Sequence, residues 1–129
     1  MQLGAFSMSL SVKDLEKSVA FYQSLGFNQV AGSPEENWAM MRKGDTAIGL
    51  FHGMFEGNML TFNPGWSAEE EEVESFPDIR DIQRLLEDAG LEMKQSTDPN
   101  GSGPAFISVL DPDGNEIFID QHVNRPSGN

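Results

Sequence analysis

The chain has 129 residues, enough for one ordinary domain and too few for two full-sized ones. Its 38 % hydrophobic and 22 % charged residues suffice for a packed core, so a disordered chain is not the default. Eight Lys and Arg against 21 Asp and Glu give a net charge of −13, which repels phosphate backbones and anionic lipid surfaces; neither nucleic acid nor membrane is an expected partner.

The first residues, Met1 to Ser11, carry no positive charge ahead of their apolar residues, so no secretory leader is expected there. Ala5 to Val12 then alternates: Phe6, Met8, Leu10 and Val12 share one face, Ser7, Ser9 and Ser11 the other. Period two predicts a half-buried strand whose apolar face meets a helix layer. Asp14 to Phe27 reads as a helix with an Asp cap, a Leu15–Val19–Tyr22–Leu25 stripe and Gly26 past its end. Strands follow at Asn28 to Ala31, Trp38 to Arg42 and Thr46 to Phe51, the last two joined by a Lys-Gly-Asp turn. The segment Leu50 to Leu60 combines Gly53 and Gly57 with Met54, Phe55 and Met59. It reads as a flexible apolar linker that a partner subunit would cover.

A second cycle repeats the first. Asn58 to Asn63 is a strand. Pro64 to Pro77 is an insertion carrying the acidic run Glu69 to Glu72; it reads as a solvated loop, or as a lid because Trp66 and Phe76 flank the run. Asp78 to Leu91 matches Asp14 to Phe27 without a gap: Asp78 answers Asp14, Leu85 answers Phe21, and Gly90 answers Gly26. Its stripe is Ile79, Ile82, Leu85, Leu86 and Ala89. Strands are predicted at Glu92 to Ser96, Ala105 to Leu110 and Glu116 to His122. The turn Asp-Pro-Asp-Gly (111–114) joins the last two, and Asn124 to Asn129 reads as a frayed tail. Each half is thus strand, helix and three strands, with repeats at about 4–53 and 57–123. The chain has no cysteine, so disulfides and thiolate sites are excluded and a cytoplasmic location is expected.

The segments LSVKDLEKSVAFYQSLGF and DPDGNEIFID, with the duplicated unit, resemble the vicinal oxygen chelate superfamily of glyoxalases, bleomycin-resistance proteins and extradiol dioxygenases. The resemblance covers roughly Leu3 to Val123. It implies an α+β fold of two βαβββ repeats, a cupped mixed sheet with helices outside, and a single domain over 1–129. It also implies two-fold dimers as a common assembly. Metal-dependent members place His, Gln or Glu at four sheet positions, and here these fall on Ser7, Gly49, Asn58 and Phe118. That set is a poor divalent-metal site, so no metal and no cofactor is expected. His52, one residue off this register, shares the parity of the helix-facing Ile48 and Leu50.

By parity, the site-facing residues include Ser7, Ser9, Gly49, Asn58, Phe62 and Phe118. Aromatic walls with a few polar groups suit an apolar or aromatic small molecule; filling of a closed core or a dimer contact is the bland alternative. Trp38 reads as a stacking residue or as core. Asp120 and His122, two apart on one strand, share a face on which a carboxylate can orient an imidazole; the alternative is a solvated histidine at a strand end. The leading expectation is a metal-independent small-molecule binder that sequesters a drug or metabolite, forms a homodimer and performs no chemistry. The alternative is a glyoxalase-like lyase, isomerase or dioxygenase with a non-standard site, using either an unrecognised divalent-metal site or, in a lyase or isomerase, Asp120 and His122 as acid and base. A third reading is an interaction module docking through the apolar linker.

Overall fold

The computed structural model describes residues 1–67 and 71–126. In chain order its elements are β1 (Ala5–Ser11), α1 (Leu15–Ser24), β2 (Asn28–Ser33), a 3-10 turn (Pro34–Glu36), β3 (Trp38–Lys43), β4 (Thr46–Phe51), β5 (Met59–Asn63), α2 (Ile79–Asp88), β6 (Ala105–Leu110) and β7 (Glu116–Gln121). The class is α+β. The chain divides into two compact units, Ser7–Met59 and Met1–Phe6 with Leu60–Asn129.

In the unit Ser7–Met59 the strand order is β2-β3-β4-β1. β3 is antiparallel to β2 and β4, and β1 runs parallel to β4, with Ser9 beside Gly49 and Ser11 beside Phe51. The N–H of Lys17 donates to the Asp14 carboxylate at 3.1 Å, which starts α1 by satisfying one of its free amides. The helix lays Leu15 on Ala39, Met41 and Leu50, with Leu10, Val12, Val19, Tyr22, Phe27 and Ile48 around them. Leu25, expected in the stripe, is half exposed because it sits at the C-cap, where the helix has ended; Phe27 packs instead.

The second unit repeats the scheme. The Asp78 side chain caps α2, and Ile79, Ile82, Ile107 and Ile119 form the core with Leu3, Leu86, Met93, Ala105 and Ile117. Leu85 is half exposed, since at 100° per residue it lies well off the Ile79–Ile82–Leu86 line. β7 lies between β5 and β6 and pairs antiparallel with β6. The turn between them closes on Asp111, whose carboxylate accepts from the N–H groups of Asp113 and Asn115 and from the Asn115 amide.

Three expectations fail here. Glu92 to Ser96 is no strand: only Gln95 bridges to Ser108, and the chain then turns to α2, where the Thr97 N–H donates to Gln83 at 2.8 Å and the Gln83 amide donates back. The tail is not frayed as far as Pro126, because the Arg125 N–H donates to Ser102, its guanidinium reaches Asp78, and Pro126 is buried; Ser127 to Asn129 lie outside the described residues. The linker presents no continuous apolar patch either. Ser11 draws it back through its hydroxyl to the Phe55 carbonyl and its N–H to the Asn58 side chain, leaving only Met54 of the expected set widely exposed. Of the acidic run, Glu69 and Glu70 lie outside the described residues. Among those described, no helix is long and apolar enough to cross a membrane.

Candidate functional site

In the unit Ser7–Met59 the sheet face opposite α1 carries Trp38 and Met40 from β3 and Gly49 and Phe51 from β4. The register places Trp38 beside Phe51 and Met40 beside Gly49. The rings of Trp38 and Phe51 stack at 6.4 Å and 14°, and Phe55 leans on Phe51 at 5.3 Å. Gly49 is where this wall needs the absence of a side chain. A Cβ there would lie 2.6 Å from the Phe51 ring, so that ring occupies the space a longer residue would fill. Ser9 lies next to Gly49, and Ser7 and Ser9 are both buried. Asn58 is exposed, just ahead of β5, with its side-chain oxygen committed to the Ser11 N–H at 3.2 Å. His52 is exposed beyond β4 rather than helix-facing, its Nδ1 3.0 Å from the Val12 carbonyl oxygen.

In the second unit, Ile107, Ile117 and Ile119 pack towards α2, so Phe106, Phe118 and Asp120 lie on the opposite face. Phe106 stands across from Asp120 in the pairing and touches Phe118 at 5.3 Å. Phe62 meets Phe6 at 5.1 Å, and the Asn63 side-chain amide donates to the Asp120 carbonyl at 2.8 Å. Asp120 and His122 come together: Oδ2 and Nε2 are 3.3 Å apart. Trp66 is stacked on the imidazole at 4.5 Å and 11°. That stack depends on Gly65, where a Cβ would lie 2.5 Å from Val123 Cγ2 and 3.1 Å from the Phe76 ring. Burial pushes the Asp120 carboxyl up from its ordinary value, and the neighbouring His122 pulls it partly back.

The four positions that the resemblance assigns to metal ligands offer a divalent ion little. Ser7, Gly49, Asn58 and Phe118 supply a hydroxyl, no side chain, an amide already engaged and a hydrocarbon ring. The Phe51 ring lies against Gly49, and among the described residues no three His, Cys, Asp or Glu gather as a metal site. These residues do not fit the ion.

Phe106 and Phe55 are wall residues that the reading of the sequence did not single out for the site. Phe106 was legible in the alternation of Ala105 to Leu110, whose Ile107 and Val109 mark the helix side. Phe55 carried no such signal, because only the folding of the linker onto Phe51 gives it a role.

A profile of the Glyoxalase/Bleomycin resistance protein/Dioxygenase superfamily matches residues 4–119. The chain belongs to that superfamily. Solved structures agree at the level of fold. A Legionella pneumophila protein described as an NAD-dependent benzaldehyde dehydrogenase is 21 % identical, with 91 % of this chain and 98 % of that chain covered and a TM-score of 0.69. A Vibrio splendidus superfamily member is 18 % identical over 90 % of this chain and 97 % of that one, with a TM-score of 0.59. The Mn(II)-bound glyoxalase of Novosphingobium aromaticivorans is 17 % identical over 95 % of this chain but 40 % of its own, with a TM-score of 0.52. No curated protein matches the chain significantly.

Proposed function

We propose that this superfamily member binds a small apolar or aromatic molecule without a metal ion and sequesters it. The observation that carries the reading is the Phe51 ring lying against Gly49, at a sheet position where metal-dependent relatives are expected to place a ligand. An aromatic wall stands in place of a carboxylate there. Each unit by itself offers flat apolar surface, Trp38, Phe51 and Phe55 in one and Phe106 and Phe118 in the other, where Asp120 adds a polar edge on the same face. The charge of −13 favours cationic ligands over anionic ones. A cytoplasmic homodimer belongs to the same reading, supported by the lack of cysteine and by superfamily membership.

Metal analysis of protein purified without chelators tests it. Substoichiometric metal together with saturable quenching of tryptophan fluorescence by planar aromatic compounds is the expected result. Stoichiometric Ni, Zn, Mn or Fe overturns it.

A further inference from the structure

The end of β7 holds an arrangement that sequestration leaves unused. The geometry points to Asp120 and His122 as a carboxylate–imidazole dyad, with Nδ1 of His122 accepting a proton from a small aromatic molecule that carries an acidic C–H or O–H and sits on the Phe106–Phe118 wall. The seating of that molecule rests on the binding reading above. The dyad rests on contacts of its own.

An ionised carboxylate can only accept hydrogen bonds. The Asp120 carboxylate lies 3.3 Å from Nε2 as an ion-pair contact, and its negative charge favours the ring proton on that nitrogen, leaving the lone pair on Nδ1. Among the described residues no hydrogen-bond partner stands at Nδ1, and the His122 side chain as a whole is 45 % exposed. The ring plane is fixed by Trp66, whose own backbone is held by its N–H to Asn63 and by its carbonyl from the Ala5 N–H. The strand beneath is fixed too. Asn63 donates to the Asp120 carbonyl, and Gln121, pointing the other way, accepts from the Ile79 N–H and donates to Asp78. A solvated histidine at a strand end needs none of these supports. His122 is the candidate catalytic residue, and Asp120 and Trp66 are positioning residues.

A suitable probe is 5-nitrobenzisoxazole, a planar aromatic with one acidic C–H. The C3 proton moves to Nδ1, the C–H electron pair completes a nitrile, the ring N–O bond breaks, and a nitrophenolate leaves. The imidazolium, paired with Asp120, returns its proton to water, so the cycle needs no oxidant or co-reactant. With the full chain, phenolate release is expected to exceed that of free imidazole at equal concentration by about a hundredfold or more, and His122→Gln is expected to remove the excess. Asp120→Asn presents an N–H to Nε2, which moves the ring proton to Nδ1. The rate should then fall, and the ring nitrogen NMR shifts should report the opposite neutral tautomer from the wild type. Fluorescence quenching by the probe measures seating separately. Quenching without acceleration overturns the dyad and spares the binding reading, whereas no quenching overturns the seating of the proposal and that reading together. A wild-type Nδ1–H tautomer, or acceleration that survives His122→Gln, overturns the dyad.

Discussion

Asp78→Ala is the sharpest test of what holds the second unit in shape. The carboxylate is 1 % exposed and receives the Arg80 N–H at 3.1 Å, the Arg80 guanidinium at 3.1 and 3.3 Å, the Gln121 amide at 2.9 Å and the Arg125 guanidinium at 3.2 Å. Arg80 is itself buried, and the Nε atoms of both arginines have no partner among the described residues. Removing the acceptor leaves a buried cation without its counter-charge, a loss of about 3–5 kcal/mol, and removes an N-cap worth about 1 kcal/mol. The expected loss is roughly 4–6 kcal/mol, a large part of the total stability of a small domain. Urea unfolding followed by tryptophan fluorescence and far-ultraviolet circular dichroism measures it. Asp78→Asn, which keeps an acceptor for the cap, should lose less.

The same carboxylate sets a pH dependence. Burial alone would raise its pKa, but hydrogen bonds from Gln121 and the Arg80 backbone, the Arg80 charge and the Arg125 hydrogen bond outweigh burial and hold it below the ordinary 3.8. The unfolded chain therefore binds this proton more readily than the folded one. Its stabilising contribution is complete above the ordinary value and disappears as pH falls through the folded value. The gap between wild type and Asp78→Asn should narrow over that acidic range. A loss below about 1 kcal/mol for Asp78→Ala, or a gap that stays constant into strong acid, would refute the buried-clasp argument.

Asp120 should behave in the opposite sense. Burial raises its carboxyl and His122 offsets this in part, so its contribution is full at low pH and is lost as pH rises through the folded value. Thermal melts of Asp120→Asn should therefore show higher stability than wild type at neutral pH, with the gap closing in acid. Gly49→Ala puts a Cβ 2.6 Å from the Phe51 ring and should shift that ring off Trp38, costing about 1–3 kcal/mol; near-ultraviolet circular dichroism reads the broken stack. Phe118→Ala should weaken binding of an aromatic probe by about 1–3 kcal/mol, roughly tenfold or more, while leaving the far-ultraviolet spectrum unchanged. Light scattering should give about twice the 14.2 kDa chain mass; a value near the chain mass itself refutes the dimer.

Local chemistry alone made much of the fold legible. An Asp that can bond the next turn's amides, a 3.6-residue stripe and a closing glycine define α1 and α2 within the chain segment itself, and both appear with their Asp caps as expected. Alternation marked β1, the Lys-Gly-Asp turn marked the β3–β4 pair, and the Ile107–Val109 and Ile117–Ile119 pairs belong to β6 and β7. Parity also placed Asp120 and His122 on one face, because a strand's period of two is a property of the backbone. What local chemistry could not decide was whether a segment finds a partner. Glu92 to Ser96 has strand composition, yet only Gln95 bridges to Ser108, and at Thr97 the chain is held instead by Gln83 of α2. The tail looks polar and loose, yet Asp78 captures Arg125. Trp66 stacks on His122 across a long stretch of chain, beside a Gly65 that lies against Val123 with no room for a side chain. Each of these outcomes is a contact between residues distant in sequence. Such a contact forms only once the helices and strands have brought its two sides together, and the residues on either side carry no local mark of it.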